Sequence, residues 1–395
     1  MNGSKKAIVI GGGPAGLVAA SRLAEGGLET TVLEAASHFG GRAASEQRAG
    51  FFLNQGPHAL YAGGPAMREL QTMGIELERW NPASPNSAFV RGGKARRSLG
   101  GMLGLMRLLR PLLRDDPEDL RSISASEWLG RNLPSEKARA AAAALVRVTT
   151  FVADQESLSA EVAATQLKLG FLPGVRYLEG GWQQLVDALA AHAEQAGATL
   201  RSRAAVRLLH QEGGGWTVAL DEETLPADVL VVAAGGPEAV AKLLGAKAPA
   251  APGPAAELSV LDLGLRSLPR RTRRFALGID APTYLSRHSP PNHREGVLLS
   301  LASYAREPRE ALEAMADTVQ PGWRDRLTFD RFLPRMVAVS AIASPASGGL
   351  GGRPAVDRGE ALYLAGDWVG PEGWLVDAAI SSGAAAAAAA LREPA

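Results

Sequence analysis

"KKAIVIGGGPAGLVAASRL", Lys5 to Leu23, is the stretch on which the fold turns. It opens on the apolar run Ala7–Ile10, as a strand buried on both faces of a sheet requires. Gly11, Gly13 and Gly16 follow in G-x-G-x-x-G spacing. The first makes a tight turn, the second lets a pyrophosphate approach the backbone, and the third lets helix pack on strand. Pro14 and Ala15 open a helix expected over Pro14–Glu25, with its N-terminal N–H groups toward the phosphates. "LETTVLEAA" (Leu28–Ala36) reads as the next strand and carries Glu34, 18 residues after Gly16. A carboxylate there accepts hydrogen bonds from ribose hydroxyls. It favours an unphosphorylated ribose, hence FAD or NAD rather than NADP.

The 395-residue chain is long enough for two cores. A net charge of +1 gives no reason to expect nucleic acid. With no cysteine, disulfides, thiolate nucleophiles and a cysteinyl link to a cofactor are excluded. Six histidines without an H-E-x-x-H motif or a ligand cluster give no metal site. Lys5 and Lys6 before an apolar run imitate a signal peptide, but the glycines interrupt its core. The expectation is a cytoplasmic protein.

"HFGGRA" follows the ribose-binding acid, with Gly40, Gly41 and Arg42. With the opening unit, it resembles the flavoprotein superfamily of flavin amine oxidases, protoporphyrinogen oxidases and phytoene-desaturase-type enzymes. "GFFLNQGPHALYAGG" (Gly50–Gly64) is most similar to the desaturase branch, with Asn54 and Gln55 where that branch often has an acid. "YLEGGWQQLVDALAAHAEQAGATLRSRAAV" (Tyr177–Val206) resembles the superfamily's central G-G-x-x-x-L-x-x-A-L segment, and Val206 is implied as a cofactor neighbour. "GGGWTVALDEETLPADVLVVAAG" (Gly213–Gly235) reads as two strands around a turn, then a buried strand rejoining the first sheet.

"EALYLAGDWVG" (Glu360–Gly370) completes the resemblance. It implies that Gly366 and Asp367 hold the ribityl and pyrophosphate part of FAD, with Trp374 and Leu375 beside the flavin at the start of a last helix. One cofactor is then held non-covalently from both ends of the chain. The implied fold is α/β: a discontinuous Rossmann-type FAD-binding domain (1–65, 175–245 and 355–395) with an interleaved α+β substrate domain (66–174 and 246–354).

The resemblance implies an FAD-dependent oxidase or desaturase taking hydride from a hydrophobic small molecule to flavin N5, with His58 and Trp374 as candidate catalytic residues. A single fingerprint leaves no separate NAD(P)H domain, so oxygen or a quinone is the expected acceptor. Two alternatives stand beside this reading: a flavin amine oxidase, with Trp374 as one wall of an aromatic cage, and a non-catalytic flavin-binding partner. "SLGGMLGLMRLLRPLLRDD" (Ser98–Asp116) carries Arg107, Arg110 and Arg114 at helical spacing. It reads as a peripheral membrane contact, the roof of an apolar cavity or simple core packing.

Overall fold

The computed structural model describes residues 4–82, 87–96 and 110–392. The Lys6–Ile10 strand lies in the middle of a five-stranded sheet, ordered Thr199–Arg201, Glu29–Leu33, Lys6–Ile10, Val229–Val232, Leu362–Leu364. Every pairing in it is parallel. Alternate residues of the central strand serve two layers. Ala7 and Val9 pack with Ala19, Leu23, Ala193 and Ala386, which belong to helices Pro14–Glu25, Gln183–Gln195 and Val376–Arg392. Ile8 and Ile10 pack with Trp216 and Val218, from the antiparallel sheet Leu208–Glu212, Gly215–Ala219, Thr224–Ala227. With both faces covered, the run has no place for a polar side chain.

The alanine run near the C-terminus has a packing reason. Helices Pro14–Glu25 and Val376–Arg392 touch so closely that a Cβ on Gly383 would lie 2.2 Å from the Ala15 carbonyl oxygen. Ala386, Ala387 and Ala390 continue that seam and are buried.

A seven-stranded sheet stands apart from the first, ordered Leu327–Val339, Ala256–Leu265, Val297–Ser303, Thr283–Arg287, Phe275–Gly278, Ala88–Arg91, Lys94–Arg96. Helix Arg309–Val319 covers one face through Leu312, Met315 and Val319. Tyr284 and Tyr304 belong to the cluster on Leu258 and Val260. Helices Ala125–Asn132, Glu136–Thr150 and Ala160–Phe171 pack together around Trp128, Val146 and Leu167. The architecture is mixed α/β with a parallel sheet, as the fingerprint requires.

Within Ser98–Asp116, residues 98–109 lie outside the described residues; at its end Leu112 is buried and Leu113 exposed. Among the described residues no helix is long and apolar enough to cross a membrane.

Candidate active site

The glycine turn is shaped by backbone contact. Gly11 has φ +109°, and a Cβ there would lie 2.4 Å from the Ala233 carbonyl oxygen. A Cβ on Gly16 would lie 1.9 Å from the Gly11 carbonyl oxygen. Gly13 differs: the nearest atom to its Cβ position is 3.8 Å away, so its face is open. It precedes Pro14 at the first helical turn, and no side chain caps that turn. An open backbone at an uncapped helix N-terminus is an anion-binding geometry. Glu34 closes the opposite side: its Oε2 accepts from Gly12 N (2.8 Å) and its Oε1 from Ala36 N (2.7 Å). Each oxygen keeps a lone pair for a hydroxyl donor.

Arg42 sits in the turn Gly41–Ala43, set by Gly40 at φ +122° and Gly41 at φ +54°. Its guanidinium forks onto Asp367, with Nη2–Oδ1 at 2.7 Å and Nη1–Oδ2 at 3.0 Å. Asp367 is buried and accepts a further bond from Ser340 N at 2.9 Å. Burial alone would raise its carboxyl, but the Arg42 charge and these bonds hold it below the ordinary value. Arg42 keeps 37% of its side-chain surface, so part of the side chain stays open beside the buried carboxylate. Gly366 is fixed by Ser382, whose Oγ accepts from its N–H at 2.9 Å. No atom lies within 4 Å of a Cβ placed on Gly41 or Gly235. Val206 is half-buried against the core behind the parallel sheet.

Trp374 lies elsewhere in its surroundings. It is 1% exposed, belongs to the helical core with Trp128 and Val146, and donates from Nε1 to the Thr150 carbonyl at 3.0 Å. Leu375 has φ +57° and partly packs on the same core. Arg353 clasps the loop between Asp367 and Trp374: Nη1 donates to the Asp367 carbonyl (3.1 Å) and Nη2 to the Gly373 carbonyl (3.0 Å). Burial lowers its proton affinity to about 10. Asp377, in the first turn of the last helix, is fully buried and accepts from Ala66 N at 3.0 Å, and burial pushes its carboxyl up to about 7. No local pattern marks Arg353 or Asp377, because both act on backbone groups outside their own segments.

His58 stands beside a second set of residues. Its Nδ1 lies 2.8 Å from the Gly56 carbonyl, and its ring lies 4.7 Å from that of Trp182. Burial lowers its pKa to about 4; the Gly56 carbonyl opposes this and the Arg42 charge adds to it. A pocket lined by Asn54, His58, Tyr177, Trp182 and His288 opens here. Tyr177 and His288 are stacked, with centroids 4.5 Å apart and planes at 14°. Tyr284 Oη joins them, 3.1 Å from Tyr177 Oη and 3.2 Å from His288 Nε2. Burial lowers the His288 pKa to about 3. Tyr177 and Trp182 flank the quoted Gly180–Gly181 pair, so part of this wall was in view in the sequence. His288 was not, since strand pairing alone brings it there. Among the described residues no group of three or more His, Cys, Asp or Glu side chains could hold a metal ion.

A parallel sheet with an open glycine turn at a helix N-terminus is the arrangement of the dinucleotide-binding fold class. A profile of the flavin containing amine oxidoreductase family matches residues 14–264. The chain belongs to that family, which implies a flavin cofactor. Coproporphyrinogen III oxidase of Propionibacterium freudenreichii is 25% identical over 358 residues, 72% of this chain and 67% of that protein. Phytoene desaturase of Cercospora nicotianae is 27% identical over 292 residues, 62% of this chain and 47% of that protein. The matches thus span about half to two thirds of these relatives' length. Cyclohexylamine oxidase of Brevibacterium oxydans shares the fold, with a TM-score of 0.77 at 18% identity over 98% of this chain and 99% of that one.

The residues present fit such a group. Gly13 and Gly41 leave backbone open to space, and Arg42 offers a part-exposed cation beside it.

Proposed function

We propose that the chain is an FAD-dependent oxidoreductase of oxidase or desaturase type, taking a hydride from a largely apolar small molecule. Oxygen or a quinone serves as the final acceptor. FAD is held non-covalently. Gly11, Gly13, Pro14, Ala15, Gly16 and Glu34 hold the adenosine half, with Val206 as a neighbour. Gly40, Gly41, Arg42, Gly366 and Asp367 hold the other half, with Trp374 and Leu375 fixing the loop behind it. The chain divides into the FAD-binding segments 1–65, 175–245 and 355–395 and the substrate segments 66–174 and 246–354.

The observation that carries this reading is the Arg42–Asp367 pair, which brings residues near the N-terminal and C-terminal ends of the chain together. Bound flavin supplies the two-electron acceptor. The chain's own residues then orient the substrate and keep water out. His58, neutral at physiological pH, is a wall that adds no charge beside the reacting carbon. Trp374 supports the loop from the core side, and its indole N–H is already satisfied. That placement favours the oxidase or desaturase reading over an amine cage.

The test is anaerobic flavin bleaching by a panel of lipophilic polyenes, porphyrinogens and primary amines, with NADH as a control. Fast reduction by a polyene or porphyrinogen supports the reading. Fast reduction by amines alone, or by NADH, replaces it.

A further inference from the structure

Two histidines face one small pocket, and their hydrogen-bond partners assign both tautomers. His58 Nδ1 lies 2.8 Å from the Gly56 carbonyl, which can only accept, so Nδ1 carries the proton. The Arg42 carbonyl beside the same ring also only accepts. Nε2 is therefore a bare acceptor in need of a donor, and among the described residues none supplies it.

His288 is set by a chain of hydroxyls. Ser286 Oγ donates to the Arg287 carbonyl at 3.4 Å and accepts from Tyr177 Oη at 3.1 Å. Tyr177 Oη then accepts from Tyr284 Oη at 3.1 Å, and Tyr284 Oη accepts from His288 Nε2 at 3.2 Å. With its proton on Nε2, His288 keeps Nδ1 bare. Asn54 is the donor of the set. Its Oδ1 accepts from Ser45 Oγ at 2.6 Å and from the Trp182 backbone N–H at 2.9 Å, which leaves the amide NH2 for a ligand.

Asn54, His58 and His288 line the same pocket, which has room for about one water molecule. His58 and His288 are close enough for the charge of one to lower the proton affinity of the other. Two bare nitrogens and one N–H call for a ligand that donates twice and accepts once on a single heavy atom. An ammonium ion has no lone pair for Asn54, and a substrate group has no room. Water meets all three requirements, with the roughly three hydrogen bonds usual for a buried water.

We propose that this pocket is a binding site for a single water, which donates to His58 Nε2 and His288 Nδ1 and accepts from Asn54 Nδ2. Asn54 and His288 act on His58 through that water as positioning residues. They tie the ring beside Arg42 to Tyr284 of the seven-stranded sheet. The site is independent of the proposed oxidoreductase function, which enters only in the part His58 plays beside a substrate.

The experiment is nitrogen-15 NMR of the FAD-saturated protein labelled at its six histidines, each assigned by substitution, together with a high-resolution crystal structure. His58 should carry its proton on Nδ1 and His288 on Nε2, both neutral at physiological pH. The crystal should show one water at about 2.7–3.2 Å from each of the three atoms. Asn54→Asp keeps both bonds accepted by Oδ1 and replaces the NH2 by a carboxylate oxygen. The other charged or titratable neighbours are unaltered: Arg42 beside His58, the exposed Glu179, and His293, whose Nε2 lies 3.3 Å from Glu295. The variant should raise the pH at which His58 or His288 protonates by about one to three pH units, the effect of an opposite charge at close range. Either ring in the opposite tautomer, no water shared by the three atoms, or unchanged titration of both rings in Asn54→Asp overturns the proposal. Should Asn54→Asp fail to fold, the parent's tautomers and crystal water decide it. A protein that takes up no flavin contradicts the functional reading instead, and the same measurements on the apoprotein still decide the water site.

Discussion

Arg42 and Asp367 are 325 residues apart in the chain and form a two-pronged ion pair, with N–O distances of 2.7 and 3.0 Å. The carboxylate is buried and the arginine side chain is partly open. Removing the buried partner leaves Arg42 and Ser340 N without their acceptor. Asp367→Ala should weaken FAD binding roughly 10- to 150-fold, the range for losing a hydrogen bond to a charged group. Titration of the apoprotein with FAD, followed by flavin fluorescence, measures it. Unchanged affinity would show that the pair is only a structural tie.

Two glycines of the same turn should behave oppositely. Gly13 has φ −82° and ψ 177°, a conformation open to alanine, and its Cβ would meet nothing closer than 3.8 Å. Gly13→Ala should leave the apoprotein's stability within about 0.5 kcal/mol yet reduce FAD affinity, because the methyl group occupies the phosphate approach. Gly16→Ala, with a 1.9 Å clash onto the Gly11 carbonyl, should fail to fold stably at all. Thermal melts with and without FAD separate the two effects.

Trp374 is a packing residue by its surroundings, so its variants should report on stability first. Trp374→Ala should cost roughly 3–5 kcal/mol. Trp374→Phe should cost about 1–3 kcal/mol, since it keeps the ring volume but orphans the Thr150 carbonyl. Denaturant unfolding checks both. Full stability in Trp374→Ala with lost turnover would move the residue back to the reacting centre.

Asp377 should shape the pH dependence of stability. Its folded-state pKa is raised to about 7 by burial, above the unfolded value of 3.8. Between those values the folded state holds the extra proton, so stability falls as pH rises through that window. The Ala66 N–H bond and the Arg68 charge act in the opposite direction, but burial outweighs them. Melting temperatures should therefore drop from pH 5 to pH 8 in the parent, and Asp377→Asn should flatten that drop. An identical slope in the variant would show that Asp377 is ionised throughout.

The parallel-sheet part of the molecule was legible in the sequence because its signals are local. Helix Pro14–Glu25 follows from a proline after spaced glycines, and it occurs with those bounds. The apolar runs Glu257–Leu265 and Pro334–Ile342 read as strands; the first matches Ala256–Leu265, while the second covers only the later part of Leu327–Val339. Thr283–Arg287 was not, since it buries Thr, Ser and Arg; Ser286 bonds Tyr177 of another sheet and Arg287 bonds the Ser289 and Pro290 carbonyls. The same limit hid His288 and Arg353. Each gains its surroundings from residues distant in the chain, and no spacing rule records such a contact.

The claim on which the rest depends is that one FAD is held from both ends without a covalent bond. The direct measurement is acid precipitation of the FAD-saturated protein, with flavin and protein quantified in supernatant and pellet. The account predicts FAD equimolar with protein, all of it in the supernatant. Flavin retained in the pellet, or a protein that takes up no FAD, would contradict it.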